Sequence, residues 1–154
     1  MKFIKTTILS MMFCVSFSVS ADTLTRSSVS NLLSKVQESV NARDVELLSS
    51  YLTEDAIITI EMSKKEGRIL KLNKAQYKEV LKQGWAMQGK YTFEVKDIEI
   101  TVSKDSKSAT VTDLTIETLE YKNQTISSKS REIIEVIESK GIPLINNIYG
   151  KVEL

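Results

Sequence analysis

Histidine is absent from the chain, and the single cysteine, Cys14, lies in the apolar N-terminal stretch. There is one proline and one tryptophan, and three of the four phenylalanines (Phe3, Phe13 and Phe17) sit in that same stretch. Each scarcity excludes something. Without histidine there is no imidazole to relay a proton near neutral pH or to ligate zinc. A chain that loses Cys14 has no disulfide and no thiol nucleophile. No Asp-rich loop resembles a calcium site, so neither a metal nor a cofactor is expected. With few aromatics left, stacking platforms for single-stranded nucleic acid are scarce.

The N-terminus reads as a removable leader. Lys2 and Lys5 precede an apolar run from Thr6 to Val19, and Val19-Ser20-Ala21 offers small residues where a signal peptidase reads, so cleavage after Ala21 is expected. The run is shorter than the ~20 residues needed to span a bilayer, which leaves no stable membrane insertion once it is removed. Met11-Met12-Phe13 is not the small-residue box that would make Cys14 a lipid attachment point. The expected location is the periplasm or the exterior. Without Lys2 and Lys5, nineteen basic residues face twenty acidic ones, a formal charge of −1 that gives no reason to expect nucleic acid as a partner. Residues 1–21 are therefore read as a signal peptide and residues 22–154 as one domain, whose core must come from isoleucine, leucine and valine.

The patterning then alternates between two periods. Val29, Leu32, Leu33, Val36 and Val40 recur at helical spacing from Ser27 or Ser28 onward. Asp44 caps a second, short helix with Leu47, Leu48, Tyr51 and Leu52 inward. Thr53-Glu54-Asp55 reads as a turn, and Ala56 to Met62 as a strand that pairs with Arg68 to Leu72 through the polar loop Ser63 to Gly67. Asn73 and Gln76 form a capping-box pair opening a helix with Tyr77, Val80, Leu81 and Trp85 on one side. Four strands follow from Lys90 to Leu154, and the helices and first hairpin are expected to cover one face of their sheet. The apolar parity changes after Val95, which predicts a β-bulge at Lys96-Asp97, and it changes again after Val111, which predicts a second at Thr112-Asp113. Leu144, Asn146, Ile148, Val152 and Leu154 are expected on one face of the last strand, with Ile133, Ile145 and Tyr149 facing outward.

Asn41-Ala42-Arg43-Asp44, Leu47-Leu48 and Tyr51-Leu52-Thr53-Glu54-Asp55-Ala56 resemble the N-terminal signature of the nuclear transport factor 2-like superfamily, and Lys140-Gly141 before an apolar strand is similar to its last turn. The resemblance implies an α+β cone of the cystatin-like kind, a curved, bulged antiparallel sheet wrapped around N-terminal helices with a cavity at the open end. The superfamily includes ketosteroid isomerases, dehydratases, polyketide cyclases and non-catalytic binding modules, so the fold does not choose an activity. Isomerase-like members use a tyrosine on the first helix and an aspartate on the first strand; the matching positions here are Val36 and Ile60. Dehydratase-like members use a buried histidine, which this chain lacks.

What remains as chemistry is carboxylate and amide. Asp113, Glu117, Glu132 and Glu135 lie on expected strands, where an inward carboxyl acquires a shifted pKa. For Asp113 the competing reading is a turn-stabilising or solvent-facing residue, and for Glu132 a solvated strand face. Asn146 interrupts an apolar face and needs a hydrogen-bond partner. Tyr51, Tyr77, Tyr91 and Trp85 read either as ordinary core or as an apolar wall with polar tips. The expected ligand-binding set is Tyr51, Trp85, Tyr91, Asp113, Glu132 and Asn146, with no catalytic residue assigned. Three functions stay open: a small apolar or amphipathic ligand held in the cone without catalysis; a homodimer or other protein partner on the outer sheet face; and a carboxylate-dependent isomerase or lyase.

Overall fold

A computed structural model describes residues 23–62, 67–87 and 89–153. Residues 1–22, which hold the expected leader and its cleavage point, the loop residues 63–66, Gln88 and Leu154 lie outside the described residues. Helix α1 (Arg26–Asn41) starts at Thr25, whose side chain and that of Ser28 cap each other's backbone in a reciprocal box. Asp44 accepts from the Leu47 N–H at 2.9 Å and opens α2 (Val45–Ser50). Strand β1 (Leu52–Met62) pairs with β2 (Ile69–Asn73). Asn73 and Gln76 form the second capping box, at the start of α3 (Lys74–Trp85). Then come β3 (Lys90–Val102), β4 (Ser108–Tyr121), β5 (Gln124–Ser139) and β6 (Ile142–Glu153).

All six strands form one sheet in the order β2-β1-β6-β5-β4-β3, antiparallel throughout except where β1 runs parallel to β6. The first hairpin therefore extends the sheet at its edge, where the sequence placed it over a face. The expected turn at Thr53-Glu54-Asp55 is instead the beginning of β1, with Leu52 paired to Ile145 and an irregularity before Ile57. Lys122-Asn123 and Lys140-Gly141 have φ of +46°, +62°, +52° and +84°. Two consecutive left-handed residues make tight turns whose twist matches that of the strands they join.

Bulges set the curvature. On β3, Asp97 and Ile98 together oppose Asp113 alone, and Asp97 takes φ +52°. The bulge expected at Lys96-Asp97 is there. The one expected at Thr112-Asp113 is not, because β4 pairs with β5 from Ser108 to Tyr121 without a shift. A second bulge lies where no parity signal announced it, at Asn146 in β6, between the pairs Val136–Ile145 and Glu135–Asn147. It turns Leu144 away from the face of Ile148 and brings Ile145 into the core at 1 % exposure, correcting both assignments.

The core fills the closed end. Leu24, Val29 and Leu32 from the N-terminal segment meet Leu52, Ala56, Ile58, Leu72, Ala109, Val111, Ile134, Val136 and Ile145. Burying such side chains contributes roughly 1.5–3 kcal/mol each and holds the helices against the concave face. Helix α1 packs on β3 and β6, α3 on β1 and β2, and α2 joins the two helices.

Candidate functional site

The concave face is layered by strand register. Val111, Ile134, Ile148, Ile58 and Leu72 make an apolar row across β4, β5, β6, β1 and β2. One step toward the open end the chemistry changes, with Asp113 opposite Glu132, Glu132 opposite Gly150, and Gly150 opposite Ile60. The next rows hold Val95, Thr115, Ser130 and Val152, then Phe93, Glu117 and Ser128. Because side chains alternate with period two, an unshifted β4 places Asp113, Thr115 and Glu117 on the same face as Ala109 and Val111. Asp113 thus points inward because β4 is regular; Leu114 and Ile116 take the other face.

Asp113 is 7 % exposed and Thr115 2 %, whereas Glu132 and Ile60 are half-buried and Met62, at the β1 end of the next row, is 41 % exposed. Exposure therefore rises toward the β1 side and toward the open end. The Thr115 hydroxyl lies 3.3 Å from Glu132 Oε1 and 3.4 Å from the Ser130 carbonyl. Asp113 Oδ1 and Ser130 Oγ are buried without a hydrogen-bond partner. Gly150 faces this corner: a Cβ there would come within 3.0 Å of Ser130 Oγ and 3.8 Å of Glu132 Oε1.

These surroundings favour neutral carboxyls. Burial raises Asp113 to about 6. Burial, reinforced by the neighbouring Asp113 and Glu117 carboxyls, raises Glu132 to about 8 against the opposing hydrogen bond from Thr115. Glu117 is nearer the mouth and open to solvent, yet the concave wall still raises its pKa, with Tyr91 as a hydrogen-bonding partner that lowers it. Tyr91 stands between Trp85 and Glu117, its phenol lowering the pKa of the Glu117 carboxyl and the indole lowering its own, an arrangement able to work as a relay of indole, phenol and carboxylate. Tyr77 reaches in from α3, its pKa raised by burial and by Glu132, Glu117 and Tyr91. At the relay's outer end Arg43 stacks 5.3 Å from the Tyr91 ring centre and donates to the Gly89 and Met87 carbonyls at 2.8 and 3.3 Å.

No family model matches the chain, and no curated protein matches it. Solved structures do. A protein from Novosphingobium aromaticivorans provisionally named a scytalone dehydratase superposes with TM-score 0.67 at 11 % identity, over 83 % of each chain. A nuclear transport factor 2-like protein from Cytophaga hutchinsonii gives 0.66 at 16 % identity over 83 % of this chain and 98 % of the other. Another of that type with a cystatin-like fold, also from N. aromaticivorans, gives 0.66 at 13 % over 82 % and 80 %. The chain has the nuclear transport factor 2-like fold.

Of the six residues expected to bind, the fold draws four together. Asp113 and Glu132 share a row, and Tyr91 and Trp85 are linked through the relay to Glu117. The solvated face weighed for Glu132 is thereby replaced by an inward one. Tyr51 is elsewhere, packed against the apolar core at the end of α2. Asn146 is at the β6 bulge, 3.0 Å from the Thr53 hydroxyl. Glu135 is on the outer face with Asn147. Within the nuclear transport factor 2-like fold, Val36 packs against the core and Ile60 stands in the carboxyl row beside Gly150. Thr115, Ser130 and Gly150 were not singled out from sequence; the signal was the unbroken odd parity of β4. A separate solvent-open groove of about 640 Å³ between α2 and α3 is lined by Glu46, Ser49, Glu54, Lys74 and Lys78, and its charges pair as Lys74–Glu54 and Lys78–Glu46. It does not reach the carboxyl row. Among the described residues no group of three or more acidic side chains has an arrangement suited to a metal ion.

Proposed function

We propose that this protein is an exported binding domain that holds a small amphipathic molecule in the open end of its cone. The observation that carries the reading is the row of Asp113, Glu132 and Gly150, polar and partly unpartnered, directly above a wholly apolar row. Buried polar atoms are nearly always hydrogen-bonded, so two orphans in adjoining rows of one concave face support a ligand that supplies partners. An apolar floor with a few convergent polar groups is the usual composition of a small-molecule site. The test is direct. The neutral fluorophore N-phenyl-1-naphthylamine should brighten on binding the purified protein, and Gly150→Leu, which fills the corner, should abolish this while circular dichroism stays unchanged. No brightening with the folded wild-type protein would sink the reading. Export is tested by cell fractionation, which should find a processed chain beginning at Asp22 outside the cytoplasm.

A second reading, proton transfer of the isomerase or lyase type, is favoured by one observation. Asp113 and Glu132 share an environment yet differ in pKa, about 6 against about 8, which is how a base and an acid are set apart in one site. Turnover of an enolisable ketone or β-hydroxy carbonyl compound, lost in both Asp113→Asn and Glu132→Gln, is its test. Self-association through the outer sheet face rests on less: Ile133 is exposed there, but Arg131, Glu135 and Lys151 surround it.

A further inference from the structure

The unusual property of the carboxyl row is its lack of a counter-charge. The polar groups facing it are Tyr77 from α3, Tyr91 from β3, Asp113, Thr115 and Glu117 from β4, and Ser130 and Glu132 from β5, while β6 and β1 bring Gly150, Val152 and Ile60. Among the described residues no lysine or arginine acts on Asp113, Glu117 or Glu132. The nearby cations are committed elsewhere. Arg43 is bound to the carbonyls after α3, and Lys74 to Glu54 and the Leu52 carbonyl. An acidic cluster alone would mean little. Here one member, Asp113, is 93 % buried by its 7 % exposure and keeps an oxygen with no partner. One row further out Ser130 Oγ is likewise orphaned, and Gly150 puts no side chain between Ser130 and Glu132, which both lie within 4 Å of where its Cβ would be.

Resting on the binding function above, we propose that the ligand is an organic ammonium: an amine head seated among Asp113, Glu132 and Ser130 at Gly150, its apolar body running out past Tyr77, Tyr91 and Phe93. An ammonium has three N–H donors and no acceptor. The corner offers three acceptors, namely Asp113 Oδ1, a Glu132 carboxylate oxygen and Ser130 Oγ. The aromatic side chains on the way out suit a cation, since the faces of tyrosine and tryptophan attract positive charge. The cation would also draw the neighbouring carboxyls into their ionised forms, so binding releases protons and tightens as pH rises. A neutral ligand accepting hydrogen bonds from protonated carboxyls would do the reverse.

The experiment uses three probes of equal chain length, octylammonium, octanol and octanoate, titrated into the full-length purified protein at pH 5.5, 7 and 8.5. Binding is read from the fluorescence of Trp85, the only tryptophan, and by calorimetry in buffers of different ionisation enthalpy. Octylammonium should bind at least tenfold more tightly than either partner. Its affinity should rise with pH, with buffer-dependent heat showing proton release. Asp113→Asn and Glu132→Gln, near-isosteric changes whose folding is checked by circular dichroism, should each weaken octylammonium at least tenfold and octanol by much less. Octanol or octanoate binding as tightly as octylammonium, or an affinity that falls with pH, overturns the ammonium assignment while leaving a binding site in place. Failure of all three to bind the folded protein overturns this assignment, and with a negative naphthylamine result the binding function as well.

Discussion

Asp113 and Glu132 stand directly opposite each other in the β4–β5 ladder, two carboxyls on the same concave face. Directly opposed like charges are unfavourable in a sheet, and burial adds to the cost of ionising either one. Burial raises both pKa values, Asp113 to about 6 and Glu132 to about 8, and for Glu132 the Asp113 and Glu117 carboxyls add to the rise. The folded state holds these protons more tightly than the unfolded chain does. The favourable contribution is complete below the unfolded carboxyl range and is lost as pH rises through 6 and then 8. The paired surface carboxylates Glu46, Glu61 and Asp105, whose pKa values are lowered, act in the opposite sense and lose their contribution under acid. Urea melts should therefore find maximum stability near pH 5, declining toward pH 9. Glu132→Gln should flatten that decline and be more stable than wild type at pH 9 by on the order of 2–4 kcal/mol. A wild-type stability that climbs from pH 5 to 9 would contradict the inward placement.

Gly150 tests the geometry of the same corner. Its backbone does not require glycine by conformation, since its φ is not in the left-handed region. The constraint is space, because a methyl group on its Cα would lie 3.0 Å from Ser130 Oγ. Gly150→Ala should cost roughly 1–2 kcal/mol as an overpacking change. Adding Ser130→Ala, which removes the clashing oxygen, should recover most of it in a double-mutant cycle. An alanine at 150 that is neutral by itself, with no coupling to Ser130, would refute the close approach.

Arg43 ties the α1–α2 junction to the end of α3. It reaches the Gly89 carbonyl at 2.8 Å, Met87 at 3.3 Å and Trp85 at 3.5 Å while covering the Tyr91 ring. Arg43→Ala should lose about 1–3 kcal/mol, the scale of hydrogen bonds to a charged group. Arg43→Lys should recover only part, because an ammonium cannot spread over several carbonyls and a ring as a guanidinium does. Thermal melts followed at the Trp85 emission give the comparison. Full recovery by lysine would mean that charge alone matters there.

Much of this fold was legible because local rules and tertiary demand agreed. The Asp44 cap, the Asn73–Gln76 box and the bulge at Asp97 all follow from short-range chemistry and appear as read. The errors share a different cause. Leu114 and Ile116 looked like an inward set displaced by a bulge because apolar residues were taken to mark the core face. In fact the inner face of β4 turns polar beyond Val111, and the aliphatic residues there pack outward. A site built from acids on a strand presents to pattern reasoning the same alternation as a solvated face, so Glu132 was ambiguous for the reason that makes it interesting. The parallel β1–β6 pairing, and the Thr53 hydroxyl that meets the bulged Asn146 from 93 residues away in sequence, are long-range contacts that no local period records.

Tyr91 offers the sharpest probe of the mouth. Its hydroxyl is placed to favour the ionised Glu117 carboxylate, opposing the burial that pushes the pKa of Glu117 up. Tyr91→Phe removes the donor while keeping the ring under Arg43, so the Glu117 pKa should rise further. The direction follows from hydrogen bonding to the charged form alone. Trp85→Phe removes the indole N–H that donates to the Tyr91 oxygen, but leaves the phenol free to donate, so its effect on Glu117 should be smaller. Carboxyl carbon NMR titrations of wild type, Tyr91→Phe and Trp85→Phe give the order. A Glu117 titration that is unmoved by Tyr91→Phe, or shifted downward, would show that the relay does not form in solution; an upward shift larger than that of Trp85→Phe would place the phenol, and not the indole, in direct contact with the acid.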